Sequence, residues 1–223
     1  MKKKLALGVL GLVILLALGL SRIKVERAVC TSQFGQCPSA VGEQVAEYTG
    51  TSYFSVKGDL ANWLSQNPRI ELFRIRFNLP GVLVVEVNER KPEVAADFGE
   101  NRYFIFDKNG VNLGEVDQTE LPTVSVYELP ENSRFSFAML LSRAIIKYYG
   151  ASNLRLDKDG LYAVINGVET AFPAEGDIDV LLGSLEVSLS QLNEVREDST
   201  ISLPAGKNYK VDLRYRHPTI SQI

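Results

Sequence analysis

The fold of the first half of the chain is decided by the stretch Phe73-Arg-Ile-Arg-Phe-Asn-Leu-Pro-Gly-Val-Leu-Val-Val-Glu-Val87. In Phe73–Phe77, apolar residues alternate with two arginines, so this strand is expected to bury one face and to expose the other to water. Asn78–Gly81 consists of turn-forming residues, and Val82–Val87 follows as the return strand. The stretch therefore predicts two consecutive antiparallel strands with one buried face.

One strand and two helices are predicted before this pair of strands. Ile23–Val29 alternates roughly with period two and predicts a first strand. Apolar residues recur near helical spacing in Ser39–Tyr48. A second helix is expected to open at Asp59, a candidate N-cap, after a short apolar link at Tyr53–Val56. The order strand, helix, helix, strand, strand predicts a three-stranded sheet with two helices on one face, over residues 22–96.

A second, mixed α/β unit with a mostly antiparallel sheet is predicted over residues 97–217, with a tail at 218–223. Its expected strands are Tyr103–Phe106, Leu154–Leu156, Leu161–Ile165, Val168–Phe172 and Tyr209–Tyr215. One amphipathic helix is predicted through residues 137–148. A longer one is predicted from Asp177 to Arg196, where leucines recur at intervals of four and three. The predicted fold class is α+β.

The chain opens with a hydrophobic segment, Leu5–Leu20, which contains only Leu, Ala, Gly, Val and Ile. As a helix it would span about 24 Å at 1.5 Å per residue, and Lys4 and Arg22 could snorkel towards the edges of a hydrocarbon core of about 30 Å. We expect a cytoplasmic tail at 1–4, a transmembrane helix at 5–21 and the bulk outside the cytoplasm.

A cleaved signal peptide is the alternative interpretation of this segment, since Ala17-Leu-Gly19 is an acceptable cleavage site. Both interpretations export the rest of the chain. Cys30 and Cys37 fit an oxidising compartment and are a candidate disulfide pair; unpaired thiols are the alternative. A zinc site is less favoured, because two further ligands are missing and His217 is distant in sequence.

The composition argues against several classes of function. With a net charge of −3, two Cys and one His, the chain lacks the basic character of a nucleic-acid binder and has few groups for thiol or imidazole catalysis. Asp157-Lys-Asp-Gly160 resembles the start of a calcium loop, but Val168 stands where that loop needs a bidentate Glu, so a hairpin turn is favoured. We expect no catalytic residue, no metal ligand, no cofactor and no small-molecule substrate.

Three short motifs occur in a distinctive order. They are Asn67-Pro-Arg-Ile70 followed by Pro80-Gly-Val-Leu-Val-Val-Glu-Val-Asn-Glu-Arg-Lys-Pro92, then Phe104-Ile-Phe-Asp107 with Asn109-Gly110 and Leu121-Pro122, and finally Val211-Asp-Leu-Arg-Tyr215. Together with the hydrophobic segment and the order of predicted elements, they resemble the FtsQ/DivIB family of bacterial cell-division proteins. The resemblance covers nearly the whole chain, although the tail at 1–4 is shorter than in many members and the cysteine pair is not a general family feature.

The resemblance implies a POTRA domain at 22–96 and the family's β domain at 97–217. It also implies a single-pass plasma-membrane scaffold of the division septum, which is not an enzyme. Its partners would be FtsB/DivIC-like and FtsL-like proteins, through which septal peptidoglycan synthesis is recruited.

In this family the terminal strand takes up a partner strand, because an edge strand presents unpaired N–H and C=O groups. Carried onto this chain, the partner-binding edge would comprise Val211, Leu213, Arg214, Tyr215, Arg216 and His217. Tyr215 would be the aromatic anchor, and Arg214 would be structural or at the rim. The alternative is that Val211 and Leu213 fill the core and no partner binds there.

Two other classes of function stay open at this point. A POTRA protein of a secretion or translocation system would need a β-barrel after its first module, and the helix-containing second half does not offer one. A cell-wall enzyme would need a nucleophile with an activating base, and the sequence contains no recognisable pair of that kind.

Overall fold

The computed structural model describes residues 23–128, 132–197 and 209–222. Within these residues the protein forms four helices and two sheets of mixed strand orientation, so its class is mixed α+β. Two compact units divide between Arg90 and Lys91. The predicted cytoplasmic tail at 1–4 and membrane helix at 5–21 lie outside the described residues.

The described residues contain no helix with both the length and the apolar character that crossing a bilayer requires.

The first unit has the predicted order of strand, helix, helix, strand, strand, with one very short additional strand. Its elements are β1 (Arg27–Ser32), β2 (Gly35–Gln36), α1 (Ser39–Glu47), α2 (Tyr53–Gln66), β3 (Ile70–Asn78) and β4 (Val82–Glu89). The sheet order is β2-β1-β4-β3, in which β4 is parallel to β1 and antiparallel to β3. The predicted antiparallel pair, β3 and β4, is therefore present.

The core of the first unit lies between this sheet and its two helices. Leu83, Val85 and Val87 alternate along β4 and are at most 2% exposed, as the period-two pattern predicts. They belong to one apolar cluster with Val41 and Val45 of α1 and with Val56, Leu60 and Leu64 of α2. At about 25 cal/mol per Å² of apolar surface, burial of this kind is the main force holding helices to the sheet.

Two predicted boundaries in the first unit are wrong. Helix α2 begins at Tyr53 and not at Asp59, so the expected apolar link is its first turn. Val56 explains the difference, because its side chain is 1% exposed and therefore extends the buried face of the helix one turn towards the N-terminus. Strand β1 begins at Arg27, four residues after the predicted start; before it, Lys24 forms only an isolated bridge with Ser52.

The expected disulfide between Cys30 and Cys37 is present, with the two Cα atoms 5.6 Å apart. Cys30 lies on β1, and Cys37 follows β2, so the bond closes the turn that joins these strands. Both cysteines pack against the apolar cluster of the first unit. Closing so short a loop stabilises the folded state by about 2.5 kcal/mol in the chain-entropy model.

The second unit contains nine strands and two helices among its described residues. The elements are β5 (Pro92–Asp97), β6 (Tyr103–Asp107), β7 (Asn112–Val116), β8 (Thr123–Val126), α3 (Asn132–Tyr149), β9 (Ser152–Asp157), β10 (Gly160–Ile165), β11 (Val168–Phe172), α4 (Ile178–Glu197), β12 (Tyr209–Asp212) and β13 (Thr219–Gln222). They form one sheet in the order β13-β12-β11-β10-β9-β8-β5-β6-β7. The β5–β8, β8–β9 and β11–β12 pairs are parallel, and the others are antiparallel.

The two faces of this sheet have different environments. Leu161, Ala163 and Ile165 of β10 belong to the apolar cluster that also contains residues of α3 and α4. Tyr162 and Val164 alternate with them and therefore lie on the opposite, open face. The sheet thus has a face covered by helices and an open face, and this difference positions the candidate site.

Strand β5 places the boundary between the two units earlier than predicted. Val94, Ala95 and Ala96 are all buried; all three pair with β6, and Ala95 and Ala96 also pair with β8 on the other side. Such continuous burial in a central strand gives no period-two signal. Pro92–Asp97 therefore belongs to the second sheet, and the expected border after residue 96 is six residues too late.

Two turns of the second unit are present where the sequence predicts them. Asn166 and Gly167 have φ of 51° and 76°, which is the geometry that the Asn-Gly signal predicts for a two-residue hairpin turn. The Asp107 carboxylate accepts hydrogen bonds from the backbone N–H groups of Asn109 and Val111, each at 2.8 Å, and so closes the predicted turn after β6. Strands β7 and β8 were not predicted, and the predicted tail at 218–223 is wrong, because Thr219–Gln222 forms strand β13.

Candidate partner-binding edge

The strand predicted as the open edge lies inside the sheet. Thr170 of β11 pairs with Val211 of β12 in parallel, and Val211 pairs with Ile220 of β13 in the antiparallel sense. The expectation that Val211–His217 forms the edge is therefore wrong for its strand residues. The physical reason is that the chain turns back after β12 and fills the ladder that would otherwise be open.

The two apolar residues of the predicted site belong to the core. Val211 is fully buried and Leu213 is 4% exposed, and both lie in the cluster under the helices. The Leu213 backbone N–H donates to the carbonyl of Ala171 at 2.8 Å, so its main chain is also held by β11. These two side chains match the alternative interpretation that they fill the core.

Arg214 is held by an ion pair within its own segment. Its Nε donates to Asp212 Oδ1 at 2.9 Å, and its Nη2 donates to Oδ2 at 2.6 Å, which is the paired geometry that suits guanidinium and carboxylate. The Arg214 backbone N–H also donates to Asp212 Oδ1, at 3.1 Å. Nη1 donates to the hydroxyl of Tyr162 at 2.9 Å, which ties the turn to the open face of β10.

These contacts change the ionisation of both partners. Hydrogen bonds from the Arg214 side chain hold the pKa of the Asp212 carboxyl below its ordinary value, against the opposing effect of burial. Burial raises the pKa of the Tyr162 hydroxyl, and the negative charge of Asp157 adds to this effect. The Asp212–Arg214 pair is thus ionised at neutral pH and acts as a structural clamp.

The remaining three predicted residues are exposed and lie on the turn that leads to β13. Tyr215 is 62% exposed, and Arg216 and His217 are also exposed. The structure therefore places the predicted residues in three environments, which are the core, the clamp and an exposed turn. Only the exposed turn, Tyr215–His217, is positioned to touch another molecule directly.

Strand β13 is the edge of the sheet at this end. Its register with β12 pairs Asp212 with Thr219, Lys210 with Ser221 and Tyr209 with Gln222. All four residues of β13 are exposed, and no described strand pairs with its outer side. An edge strand offers backbone donors and acceptors to an added strand.

A shallow groove lies beside this edge, on the face covered by helices, and its lining combines two valines with the polar residues Ser184, Ser188 and Gln191. Val180 and Val187 of α4 are 64% and 59% exposed, and the groove between them also includes Pro218, which immediately precedes β13. Its volume is about 530 Å³. Ile220 shares the face of Val211, its cross-strand neighbour, so it also lies on this side of the sheet. The groove therefore brings two exposed apolar side chains of α4 close to the residue that precedes the edge strand.

A second groove, of about 420 Å³, lies on the open face, across strands β8 to β12. Arg155, Lys210 and Arg214 surround the ring of Tyr162, with their charged groups 4.7, 5.9 and 5.5 Å from its centroid. Glu169, which also lines the groove, is beside Lys210 in the register of β11 and β12. Within the described residues, no group of three or more His, Cys, Asp or Glu side chains is placed to hold a metal ion.

Two features of this site were not predicted from the sequence. Strand β13 has only four residues, all exposed, so burial leaves no alternating pattern; the one available signal is the β-branched pair Thr219-Ile220 directly after Pro218. Tyr162 could have been assigned to the open face, because it alternates with the apolar residues of β10. Its contact with Arg214 joins residues 52 positions apart, which sequence spacing does not reveal.

Comparison with known proteins gives no match, either to a protein-family model or to a curated protein.

The clamp predicts a pH-dependent effect of Asp212→Asn. The folded-state pKa of Asp212 is lowered, so its contribution is fully present above the ordinary value of about 3.9 and is lost as the pH falls through the folded value. We expect Asp212→Asn to reduce the free energy of unfolding by about 1–3 kcal/mol at pH 7 and pH 5, and by clearly less at pH 3. Urea unfolding at the three pH values measures this.

Asp117→Asn is the matched control, since Asp117 is an exposed aspartate of the same unit. Its free energy of unfolding should stay within about 0.5 kcal/mol of the unchanged protein. An Asp212→Asn effect of equal size at all three pH values would contradict the clamp.

Proposed function

We propose that the protein is a scaffold of the bacterial division machinery, of the FtsQ/DivIB type, which binds FtsB/DivIC-like and FtsL-like proteins and helps recruit septal peptidoglycan synthesis. The proposal includes a plasma-membrane anchor at Leu5–Leu20, with the bulk outside the cytoplasm. The observation that carries it is that β13 is the outermost strand at this end of the sheet, with no described strand on its outer side. Three residues separate this edge from the motif Val211–Tyr215, on which the family resemblance partly depends.

The architecture of the first unit supports the POTRA-like part of the proposal. Two helices cover one face of a sheet in which β1 runs parallel to β4, and β3 lies on the far side of β4. This is the arrangement expected for a strand, helix, helix, strand, strand module. The disulfide between Cys30 and Cys37 supports an exported location, because such bonds persist in oxidising compartments.

The geometry of the second unit revises where the partner would dock. A partner strand cannot pair with β12, because β11 and β13 occupy both of its sides. It would pair with β13, whose outer side has no neighbour among the described strands. Tyr215, Arg216 and His217 lie on the turn before β13, so they can still contact a partner that follows this edge.

The groove beside β13 would add side-chain contacts to the backbone pairing. Alternate side chains of a strand added to β13 would point to the same side as Ile220. On that side lie Val180 and Val187 of α4. Main-chain hydrogen bonds would supply pairing, and apolar residues at alternate positions of the partner would contact the two valines. We therefore expect the partner segment to be an amphipathic strand.

Proline substitutions at Ile220 and Ser221 test the edge. Successive N–H groups of a strand point to opposite sides, so one of the two donates towards β12 and the other away from it. We expect one proline variant to lower the unfolding temperature. The other should retain the unfolding temperature and weaken binding of the FtsB/DivIC-like partner by at least about 1 kcal/mol, or roughly fivefold in Kd. Thermal unfolding and binding titrations measure the two effects.

Ile220→Val and Ser221→Thr are the controls, because they keep the backbone donor and a residue that suits a strand. Both should bind the partner normally. If all four variants bind equally well, the edge of β13 is not the docking strand.

Tyr215→Ala tests the exposed turn. An aromatic anchor at an interface contributes about 1–3 kcal/mol to binding, so this variant should lose that amount of partner affinity while its unfolding temperature is unchanged. Tyr148→Ala is a matched control, since Tyr148 is 66% exposed and lies on helix α3. Equal affinities of the two variants would remove Tyr215 from the interface.

Localisation tests the cellular role. A fluorescent fusion of the full chain should collect at midcell in dividing bacteria. The edge-directed proline variant should still reach the membrane but should fail to bring the FtsB/DivIC-like partner to midcell. An even distribution of the unchanged fusion around the cell would refute the septal role.

A further inference from the structure

The start of the first unit lies close to the end of the hydrophobic segment. Three residue steps separate Leu20 from Ile23, and an extended chain covers at most about 3.6 Å per residue, so the two are no more than about 11 Å apart. If Leu5–Leu20 crosses the membrane, as the proposed function states, Ile23 lies in or just beyond a headgroup layer about 5–7 Å thick. Whatever surrounds Ile23 in the folded unit is then held against the bilayer.

Two other segments are joined to the chain at this point. The Tyr53 backbone N–H donates to the carbonyl of Ile23 at 3.1 Å, which fixes the start of helix α2 there. The Glu26 backbone N–H donates to the carbonyl of Gly81 at 2.8 Å, which fixes the turn between β3 and β4. The Tyr53 ring lies 4.5 Å from that of Phe77, so the two segments also contact each other. We call this end of the unit the proximal tip and define it as residues 23–27, 52–57 and 78–81.

The proximal tip exposes two large apolar side chains. Leu79 at the turn is 79% exposed, and Phe54 in the first turn of α2 is 52% exposed. Leu79 is the most exposed of the large apolar residues described, although it belongs to a turn that hydrogen bonds hold in place. Neither side chain contributes to the apolar cluster of the unit. The Phe54 ring lies edge-on against that of Tyr53, with 5.4 Å between their centroids, but more than half of the side chain stays exposed.

The same tip carries more positive than negative charge. Lys24, Arg27 and Lys57 are exposed, and Glu26 is the acidic residue within the tip. The Glu26 side chain lies against the backbone of Gly81, at the side of the turn. Asp59 follows on α2, one turn beyond Phe54. Exposed apolar side chains surrounded by lysine and arginine are typical of surfaces that bind anionic membranes.

We propose that the proximal tip is a membrane-docking surface, in which Leu79 and Phe54 enter the lipid headgroup layer and Lys24, Arg27 and Lys57 bind anionic phospholipid headgroups. The occupant is a bilayer because chain length alone places the tip within reach of one. The anchor then acts together with the tip, so the first unit has a fixed orientation on the membrane instead of turning freely on its linker. This inference rests on the membrane anchor of the proposed function and is independent of the partner edge.

Depth measurements with the full chain in lipid vesicles test the proposal. Leu79→Cys is labelled with an environment-sensitive fluorophore, without reductant, so that the Cys30–Cys37 disulfide stays closed. Phe34→Cys is the matched control. Phe34 is also an exposed apolar turn residue, at 70%, but its turn lies at the other end of the sheet, where the neighbouring Gln33 side chain binds the backbone of Glu89. Strand β4 separates Gly81 from Glu89 by about 25 Å.

In vesicles of mixed anionic and zwitterionic phospholipid, a nitroxide quencher at headgroup depth should quench the label at position 79 and leave the label at position 34 unquenched. The emission at position 79 should also shift to shorter wavelength. Equal, weak quenching at both positions in vesicles that carry the protein would overturn the proposal. A protein that fails to float with the vesicles would overturn it as well, since the anchor would be absent.

Two further measurements separate the apolar from the ionic contribution. The protein with Lys24, Arg27 and Lys57 unchanged should show less quenching at position 79 in purely zwitterionic vesicles than in anionic vesicles. The combined change Lys24→Glu, Arg27→Glu and Lys57→Glu should reduce quenching in anionic vesicles while circular dichroism stays the same. If quenching at position 79 depends neither on lipid charge nor on the triple substitution, the assignment of anionic headgroups is overturned. Partner binding in detergent is measured in parallel, so that failure at the membrane and failure at the β13 edge are distinguished.

Discussion

The ion pair between Asp212 and Arg214 determines how the second sheet ends. Asp212 is the last residue of β12, and its carboxylate accepts hydrogen bonds from both the backbone and the side chain of Arg214. These bonds fix the direction in which the chain leaves the strand. The contact between Arg214 and the Tyr162 hydroxyl holds the turn against the open face, and the chain then returns as β13. Arg214, two residues after the end of β12, therefore decides which backbone groups face outward at this end of the sheet.

The same ion pair explains why the predicted site residues separate into different environments. Residues before the turn continue the alternation of β12 and enter the core, whereas Tyr215, Arg216 and His217 lie beyond the clamp and are exposed. A motif that is continuous in sequence thus combines a structural role with a potential contact role. The clamp keeps Arg214 from acting as a free surface cation, whereas the three residues that follow it are exposed.

The sequence predicted those parts of the fold in which local chemistry and burial agree. The pair of strands at Phe73–Val87, the long helix α4 and the Asn166-Gly167 turn are present because each depends on neighbouring residues. Strand β5 was missed because it is buried on both faces and has no alternation. Strand β13 was missed for the opposite reason, since none of its side chains is buried. Strand β5 depends on its parallel pairing with the more distant β8, which a single sequence does not report, whereas β13 pairs with the adjacent β12 and is decided by the turn between them.

The four-residue length of β13 has a mechanical consequence. A strand added at this edge would extend the nine-stranded sheet by one, and the load between two tethered proteins would pass through the new ladder. When tension acts along the strands, the few hydrogen bonds of a short ladder resist together in shear. When it acts across them, the bonds open one after another and much less force is needed. The direction of pull, and not only the affinity, would therefore decide how long such a complex holds under tension.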